Sequence, residues 1–114
     1  MLAFRDLKWF HLEKKAARKA FEAAYERECR AIASKLKQKM QDDSDPRAIW
    51  RIHDYLAKQR RDTDRKYDYR YSVLIEVFAQ LLNEGWLTEE ELTGLSADKI
   101  AKIKDLADFF AGRA

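Results

Sequence analysis

One short stretch of the chain combines residue types that do acid–base chemistry with types that recognise proteins. Trp50, His53 and Asp54 lie within about one helical turn, and Arg60 follows on the same predicted helix. A histidine beside a carboxylate can act as a general base, whereas Trp and Arg carry much of the binding energy at protein interfaces. Adjacent helical residues point about 100° apart, so we predict that Asp54 does not readily orient His53. Since no serine or cysteine stands three or four positions from His53, the pattern predicts a partner-binding surface without a catalytic residue.

The other potential metal ligands are scattered along the chain. His11, His53 and Cys29 lack the spacing of a metal site, and no histidine accompanies the glutamates of TEEEL at 88–92. We interpret TEEEL as a helix start, because Thr88 and Glu91 have the spacing of a capping box. A single cysteine cannot form an internal disulfide, so nothing indicates an oxidising compartment. We therefore predict neither a metal nor another cofactor.

The element before this stretch is a long amphipathic helix. No Gly or Pro occurs from Phe10 to Met40, and apolar residues recur three, four and seven positions apart at Phe10, Ala17, Phe21, Ala24, Tyr25, Ile32, Leu36 and Met40. Such a helix would be about 46 Å long, whereas a compact domain of this size is roughly 34 Å across. The helix should therefore overhang the body, and its apolar stripe would lie bare unless a second subunit covered it.

The second helix carries the candidate surface. Asp45 can cap it and Pro46 suits its first turn, and we predict that it runs from Pro46 to Asp62. Its narrow apolar stripe consists of Ile49, Ile52 and Leu56. Such a stripe is either a core contact or a subunit contact, and we predict the dimer interface there. Beside that stripe Asp54 has the helical spacing to pair with Lys58 or Arg61.

The rest of the chain predicts shorter helices. The stretch DTDRKYDYRY at 62–71 is a polar connector or a helix junction, and a third helix should run from about Asp68 to Glu84 and end at a left-handed Gly85. A short helix should follow Thr88 and end at Gly94, and Ser96 should cap a last one. Few breakers and many good helix formers make the predicted fold class all-α.

The charge pattern leaves a nucleic-acid binder open as an alternative. The net charge is only +3, but residues 46–71 form a basic segment with Tyr55, Tyr67, Tyr69 and Tyr71 interleaved, which could stack on bases. No recognised nucleic-acid motif is present, so the main prediction includes no nucleic acid. No window approaches the ~20 apolar residues of a membrane span. The start MLAFRDLKW has charges where a signal peptide needs an apolar run, and we expect a cytoplasmic protein.

Four segments of the chain form a set of motifs: W-x-x-H-D at 50–54, K-Y-D-x-R-x-S-V at 66–73, V-F-A-Q-L-L-x-E-G at 77–85 and A-D-K-x-x-K-I-K at 97–104. Together they resemble the fluorescence recovery protein family of cyanobacteria. The long first helix matches in pattern only. Because the four motifs occur in the same order, they are far more specific together than any one of them.

The resemblance implies both a fold and a function. The long first helix and the second helix, residues 1–66, would form an extended dimerisation region, and residues 67–114 a small C-terminal helical head. The protein would be a non-enzymatic homodimer that binds the C-terminal domain of photoactivated orange carotenoid protein. It would accelerate red-to-orange reversion and help to detach that protein from the phycobilisome, which ends photoprotective quenching. This partner would bring it to the cytoplasmic face of thylakoids.

The family's partner-binding residues carry over to Trp50, His53, Asp54, Arg60 and Lys102. Two positions depart from the family pattern, because Glu76 stands where relatives have an aromatic near the head surface and Arg65 stands where they often have glycine. We include Glu76 among the partner-binding residues because of this difference. It also leaves open a second interpretation, a related dimeric adaptor for another protein partner in a bacterium without orange carotenoid protein.

Overall fold

A computed structural model describes residues 3–113 of the chain. Its four α-helices, in chain order, are α1 (His11–Asp42), α2 (Ala48–Lys66), α3 (Leu74–Glu84) and α4 (Ala97–Phe110). Single 3-10 turns lie at Ala3–Asp6 and Glu89–Leu92. All the regular structure in residues 3–113 is helical, which confirms the predicted all-α class. No helix in that range is long and apolar enough to cross a membrane.

The hydrophobic core lies at one end of the molecule. Six side chains of α3 fill its centre, and the first half of α1 and one face of α4 close it from two sides. Phe78, Leu74 and Ile103 are fully buried there. Residues 3–24 and 67–113 together form what we call the core region, so the start of α1 shares one core with the predicted head.

The other half of α1 and all of α2 form an antiparallel pair, residues 25–66, that we call the arm. Only Ala48 and Thr63 of α2 are buried, and Met40 and Ile49 are exposed. The molecule measures 52 × 30 × 22 Å, with a radius of gyration of 16.8 Å against about 13 Å for a compact chain of this length. The predicted overhang of α1 is therefore confirmed.

The connector between α2 and α3 is where the predicted boundaries are wrong. α2 continues to Lys66, beyond the predicted Asp62, and α3 begins at Leu74 instead of Asp68. Between them Tyr67, Tyr69 and Tyr71 alternate with polar residues, as in an extended segment. Their rings pack on Phe21 at centroid distances of 5.4 Å and 4.7 Å and on Trp9 at 5.5 Å. Contacts with Phe21 of α1 and with Trp9 just before that helix thus override the local helix propensity.

The predicted helix termini are otherwise close to those observed. Asp45 accepts a hydrogen bond from the Arg47 amide at 2.9 Å, so it caps the turn that leads into α2. Gly85 ends α3 with φ 86°, and Ser96 Oγ accepts from the Lys99 amide at 3.2 Å. The Thr88–Glu91 capping box is present, although the turn that it starts is a 3-10 turn.

Gly94 is required for a reason that the sequence did not indicate. A Cβ atom at this position would lie 2.4 Å from the Cβ of Ala16. The loop before α4 therefore approaches α1 more closely than any other residue type would allow.

Candidate functional site

The predicted partner-binding residues of α2 lie on the open surface of the arm. Trp50 is 68% exposed, and His53 and Asp54 are exposed beside it. Their spacing of three and four positions places the three side chains on neighbouring parts of one helical face. Most of the Trp50 indole is in contact with water, so its burial by a partner would be favourable. We call Trp50, His53, Asp54 and Arg60 the arm patch.

The contact between His53 and Asp54 is closer than expected. Nδ1 of His53 lies 3.4 Å from Oδ1 of Asp54, so the two side chains approach each other although their positions on the helix diverge by about 100°. The distance still exceeds the usual range of about 2.7–3.2 Å for such a hydrogen bond. Both side chains are well exposed, so water competes for the same atoms. This geometry does not fix the imidazole as a catalytic base would require.

Arg60 stands at the distal edge of the arm patch. Its Nε donates to Asp64 at 3.0 Å, and both side chains are exposed. Lys58 pairs in the same way with Asp62 at 2.8 Å, so the predicted pairing of Asp54 with Lys58 or Arg61 is wrong. Because both ion pairs are exposed to solvent and screened by salt, each contributes little to the stability of the fold. The guanidinium of Arg60 can therefore exchange Asp64 for a partner's carboxylate or carbonyl at small cost.

The two head residues lie in different surroundings. Glu76 is exposed, although its neighbours Ile75 and Val77 are buried in the core. Lys102 is half-buried, and its Nζ lies 2.7 Å from a carboxylate oxygen of Asp98 one turn earlier on α4. In residues 3–113 no cation pairs with Glu76, which thus offers a negative charge to an approaching surface, whereas the charge of Lys102 is already balanced by Asp98.

The predicted dimer residues differ in exposure. Ile49 is 60% exposed, while Ile52 and Leu56 are half-buried on the side of α2 nearer to α1. Ile52 also lines a groove of about 320 Å³ between the two helices of the arm. Ile49 is therefore the member of the stripe with the most apolar surface left for another chain.

Two polar clusters that tie the arm to the core region escaped the sequence analysis. Lys66 Nζ donates to Glu28 at 2.8 Å and to Glu84 at 2.6 Å, and the hydroxyl of Tyr67 donates to Glu28 at 2.9 Å. Burial raises the pKa of Tyr67, and its bond to Glu28 raises it further. The second cluster joins Arg27 to both carboxylate oxygens of Glu91 at 2.7 Å and 2.6 Å.

A third cluster is fully inside the core region. Lys99 Nζ lies 3.1 Å from both carboxylate oxygens of Glu13, and Glu13 also accepts from the amides of Phe10 and Ser96. Burial alone would raise the pKa of Glu13, but the two amides and Lys99 hold it below its usual value. These clusters join residues far apart in sequence, so no local spacing could have indicated them.

The tyrosines that might stack on nucleic-acid bases are engaged within the chain. Tyr55 lies under Lys39, whose Nζ is 4.7 Å from the ring centroid, and Tyr67 packs edge to face against Phe21 and Tyr25. Arg18 lies 3.8 Å from the ring centroid of Tyr69. Stacking of bases would have to displace these contacts. Within residues 3–113 no three His, Cys, Asp or Glu side chains are grouped as a metal site would need.

Comparisons with known proteins agree on one family. Residues 9–107 match the family described as the photoprotection regulator fluorescence recovery protein. The fluorescence recovery protein of Synechocystis sp. is 41% identical over 107 residues, which cover 94% of this chain and 98% of that protein. The solved structure of the Fremyella diplosiphon fluorescence recovery protein is similar with a TM-score of 0.80 and 44% identity, over 88% of this chain and 98% of that one. A solved Synechocystis structure gives a TM-score of 0.81 at 42% identity over the same shares of the two chains.

Proposed function

The chain belongs to the fluorescence recovery protein family of photoprotection regulators, and from this we propose that it binds photoactivated orange carotenoid protein and returns it to the orange form. The contact would be with the C-terminal domain of that partner, and it would help to release the partner from the phycobilisome. The observation that carries this proposal is the exposure of Trp50 beside His53 and Asp54 on the arm. These are the residues onto which the family's partner-binding positions fall.

The mechanism needs no covalent chemistry. A protein that binds one conformation of its partner, or the barrier between two conformations, more tightly than the rest lowers the free energy of that state. About 1.4 kcal/mol of selective stabilisation of the barrier gives a tenfold faster return. One buried indole with one charged hydrogen bond from Arg60 can supply that amount. The carotenoid belongs to the partner, and this chain would contribute only its surface.

The working form would be a homodimer joined through the arm. Met40 and Ile49 expose apolar surface there, and a second copy of the same surface would cover it in a symmetric contact. Residues 1–66 would then serve dimerisation and residues 67–114 would act as the head, with Glu76 and Lys102 meeting the partner. The protein would act in the cytoplasm, next to thylakoids when its partner is bound to the phycobilisome.

The direct test is the dark recovery of red orange carotenoid protein with and without this chain. We expect the wild-type chain to accelerate it, and Trp50→Ala or Arg60→Leu to weaken the effect by about thirtyfold, since an interface hot spot is worth about 2 kcal/mol or more. Arg30→Leu is the matched control, because Arg30 is an exposed arginine that pairs with Glu26 one turn away on α1. Oligomeric state must be measured for each variant. A wild-type chain that leaves the recovery rate unchanged would refute the proposal.

The exposed Glu76 favours a specific second candidate, a dimeric adaptor for another protein. A carboxylate where relatives present an aromatic side chain could repel the usual partner surface. If wild type is inactive and Glu76→Phe gains activity, the carboxylate of Glu76 is what prevents the wild-type chain from acting on the carotenoid protein. If Glu76→Phe gains nothing, the adaptor interpretation is favoured.

A further inference from the structure

The first half of α1 borders a groove that the proposed function does not use. Four cations of α1 line it, and the connector before α3 lines the opposite side; the side chains that matter are Lys14, Lys15, Arg18, Lys19, Tyr69 and Tyr71. We call this the basic groove. It is shallow and open to solvent, with a volume of about 470 Å³. It belongs to the core region, whereas the arm patch lies on α2.

The cations of the basic groove differ from most others in the chain. Within residues 3–113 none of these four lies within 4.0 Å of a carboxylate oxygen, although Glu22 also lines the groove. On α2, by contrast, Lys58 and Arg60 each pair with an aspartate one turn away. A cluster of unneutralised cations produces a positive potential that attracts an acidic ligand.

Two of the cations are held in place by the tyrosines. Arg18 lies 3.8 Å from the ring centroid of Tyr69 and Lys14 lies 5.2 Å from that of Tyr71. These cation–π contacts orient the side chains without neutralising them. Burial raises the pKa of Tyr69 to about 12, so the ring beneath Arg18 stays neutral at physiological pH. The groove is therefore partly organised before any ligand arrives.

The spacing of the cations fits an extended peptide. Lys14 and Arg18 form one row and Lys15 and Lys19 another, each with an axial rise of about 6 Å. In an extended chain, side chains on one face recur about every 6.6 Å. Carboxylates at alternate positions of an extended segment would thus meet successive cations of a row.

The same geometry is unfavourable for nucleic acid. Tyr69 is contacted by Arg18 and, edge to face at 4.7 Å, by Phe21, and Tyr71 by Lys14 and, at 5.5 Å, by Trp9. A single strand binds tightly when bases stack on free aromatic faces, and these rings are already packed. We propose that the basic groove binds an acidic, extended segment of a partner protein with carboxylates at alternate positions. This holds whether or not orange carotenoid protein is the partner of the arm patch.

The test uses a fluorescein-labelled decapeptide of alternating Glu and Ser, followed by fluorescence anisotropy with the full-length protein at low ionic strength. We expect the peptide to bind, and Lys15→Glu/Lys19→Glu to weaken binding by about tenfold or more through like-charge repulsion. Lys15 and Lys19 make no cation–π contact or ion pair in residues 3–113, so the fold should persist, which circular dichroism checks. Lys35→Glu/Lys37→Glu is the matched control, with the same charge change on α1 outside the groove, and should change binding by less than about threefold.

Two further probes distinguish recognition of alternating carboxylates from non-specific binding of polyanions to a basic surface. A decapeptide with the same composition but its glutamates in one block should bind several-fold more weakly, because its carboxylates do not match the rows. Oligothymidylate of similar charge should bind weakly and should respond equally to both double variants. The proposal fails if the alternating peptide does not bind, if both variants weaken it equally, or if the block peptide or oligothymidylate binds as well and with the same dependence on Lys15 and Lys19.

Discussion

The core region and the arm are built from the same kind of helix but are stabilised in different ways. In the core region α3 contributes six buried residues over 11 positions, whereas α2 contributes only Ala48 and Thr63 over 19. The core region therefore buries its central helix within one chain, although Phe10, Leu12, Phe109 and Phe110 at its edges are exposed. The arm has no such buried centre, and it leaves Met40, Ile49 and Trp50 in water. Exposed apolar side chains grouped in this way are available for contacts with other proteins.

The two regions should differ most in how much stability they lose when an aromatic side chain is truncated to alanine. Phe78 is fully buried, so Phe78→Ala should lower the free energy of unfolding by about 3–5 kcal/mol. Trp50→Ala should change it by no more than about 0.5 kcal/mol, as is usual for exposed sites. Urea titration followed by circular dichroism measures both. A large loss of unfolding free energy for Trp50→Ala would mean that Trp50 is packed within the arm and is not free for a partner.

The next effect concerns the ion pair that closes the core region. Lys99→Met leaves the Glu13 carboxylate buried without a cation and should cost about 3–5 kcal/mol at neutral pH. Lys104→Met is the control, since Lys104 and Glu89 form an exposed pair at 3.2 Å, and it should cost less than about 1 kcal/mol. The loss in Lys99→Met should shrink as pH falls, because protonation of Glu13 removes the unpaired charge. An equal loss at every pH would contradict this account.

A third prediction tests whether the arm is completed by a second copy. Ile49→Glu would bury a carboxylate in the proposed dimer contact, at a cost of several kcal/mol, and should give monomers that keep their helicity. Multi-angle light scattering at micromolar concentration, together with circular dichroism, measures both properties. A variant that remains dimeric would remove Ile49 from the contact.

The smallest effect should come from the link between the arm and the core region. The hydrogen bonds from Arg27 lower the pKa of Glu91 from its usual 4.5 to about 2, although burial opposes the shift. A lowered folded-state pKa means that ionised Glu91 adds its full stability above pH 4.5 and loses it as pH falls through about 2. The melting temperature of Glu91→Gln should therefore lie below that of wild type at pH 6, and the two should converge between pH 4.5 and 2. A difference that is independent of pH would show that the ionised form is not what matters.

Much of the fold followed from local patterns. The left-handed Gly85, the capping box at Thr88 and the Ser96 cap all depend on residues within a few positions of one another, and the overhang of α1 followed from the unbroken length of its pattern. The apolar run of α3 likewise predicts its burial. The placement of Trp50, His53 and Asp54 near one another followed from helical spacing alone, although their role in binding a partner stays a prediction.

The connector at 67–73 shows where local patterns gave the wrong answer. The apolar run that follows predicts a helix beginning at about Asp68, yet the tyrosines at 67, 69 and 71 alternate with polar residues, which is a period typical of extended chain. That signal was present but too short to outweigh the neighbouring helical pattern. The contacts with Phe21 and Trp9 decided the conformation. They bury tyrosine ring surface that would not reach these two residues if the connector continued as a helix.

The sequence by itself determined the helices, most of their ends and the family, because each depends on short spacings or on motifs in a fixed order. Only the tertiary structure decided which charges are neutralised by residues far away in the sequence. Glu13 meets Lys99 across 86 positions and Arg27 meets Glu91 across 64, while Lys14 and Lys15 have no such partner in residues 3–113. The physical reason is that a long-range ion pair depends on atoms brought within a few ångströms by the packing of whole helices, and no local pattern contains that distance.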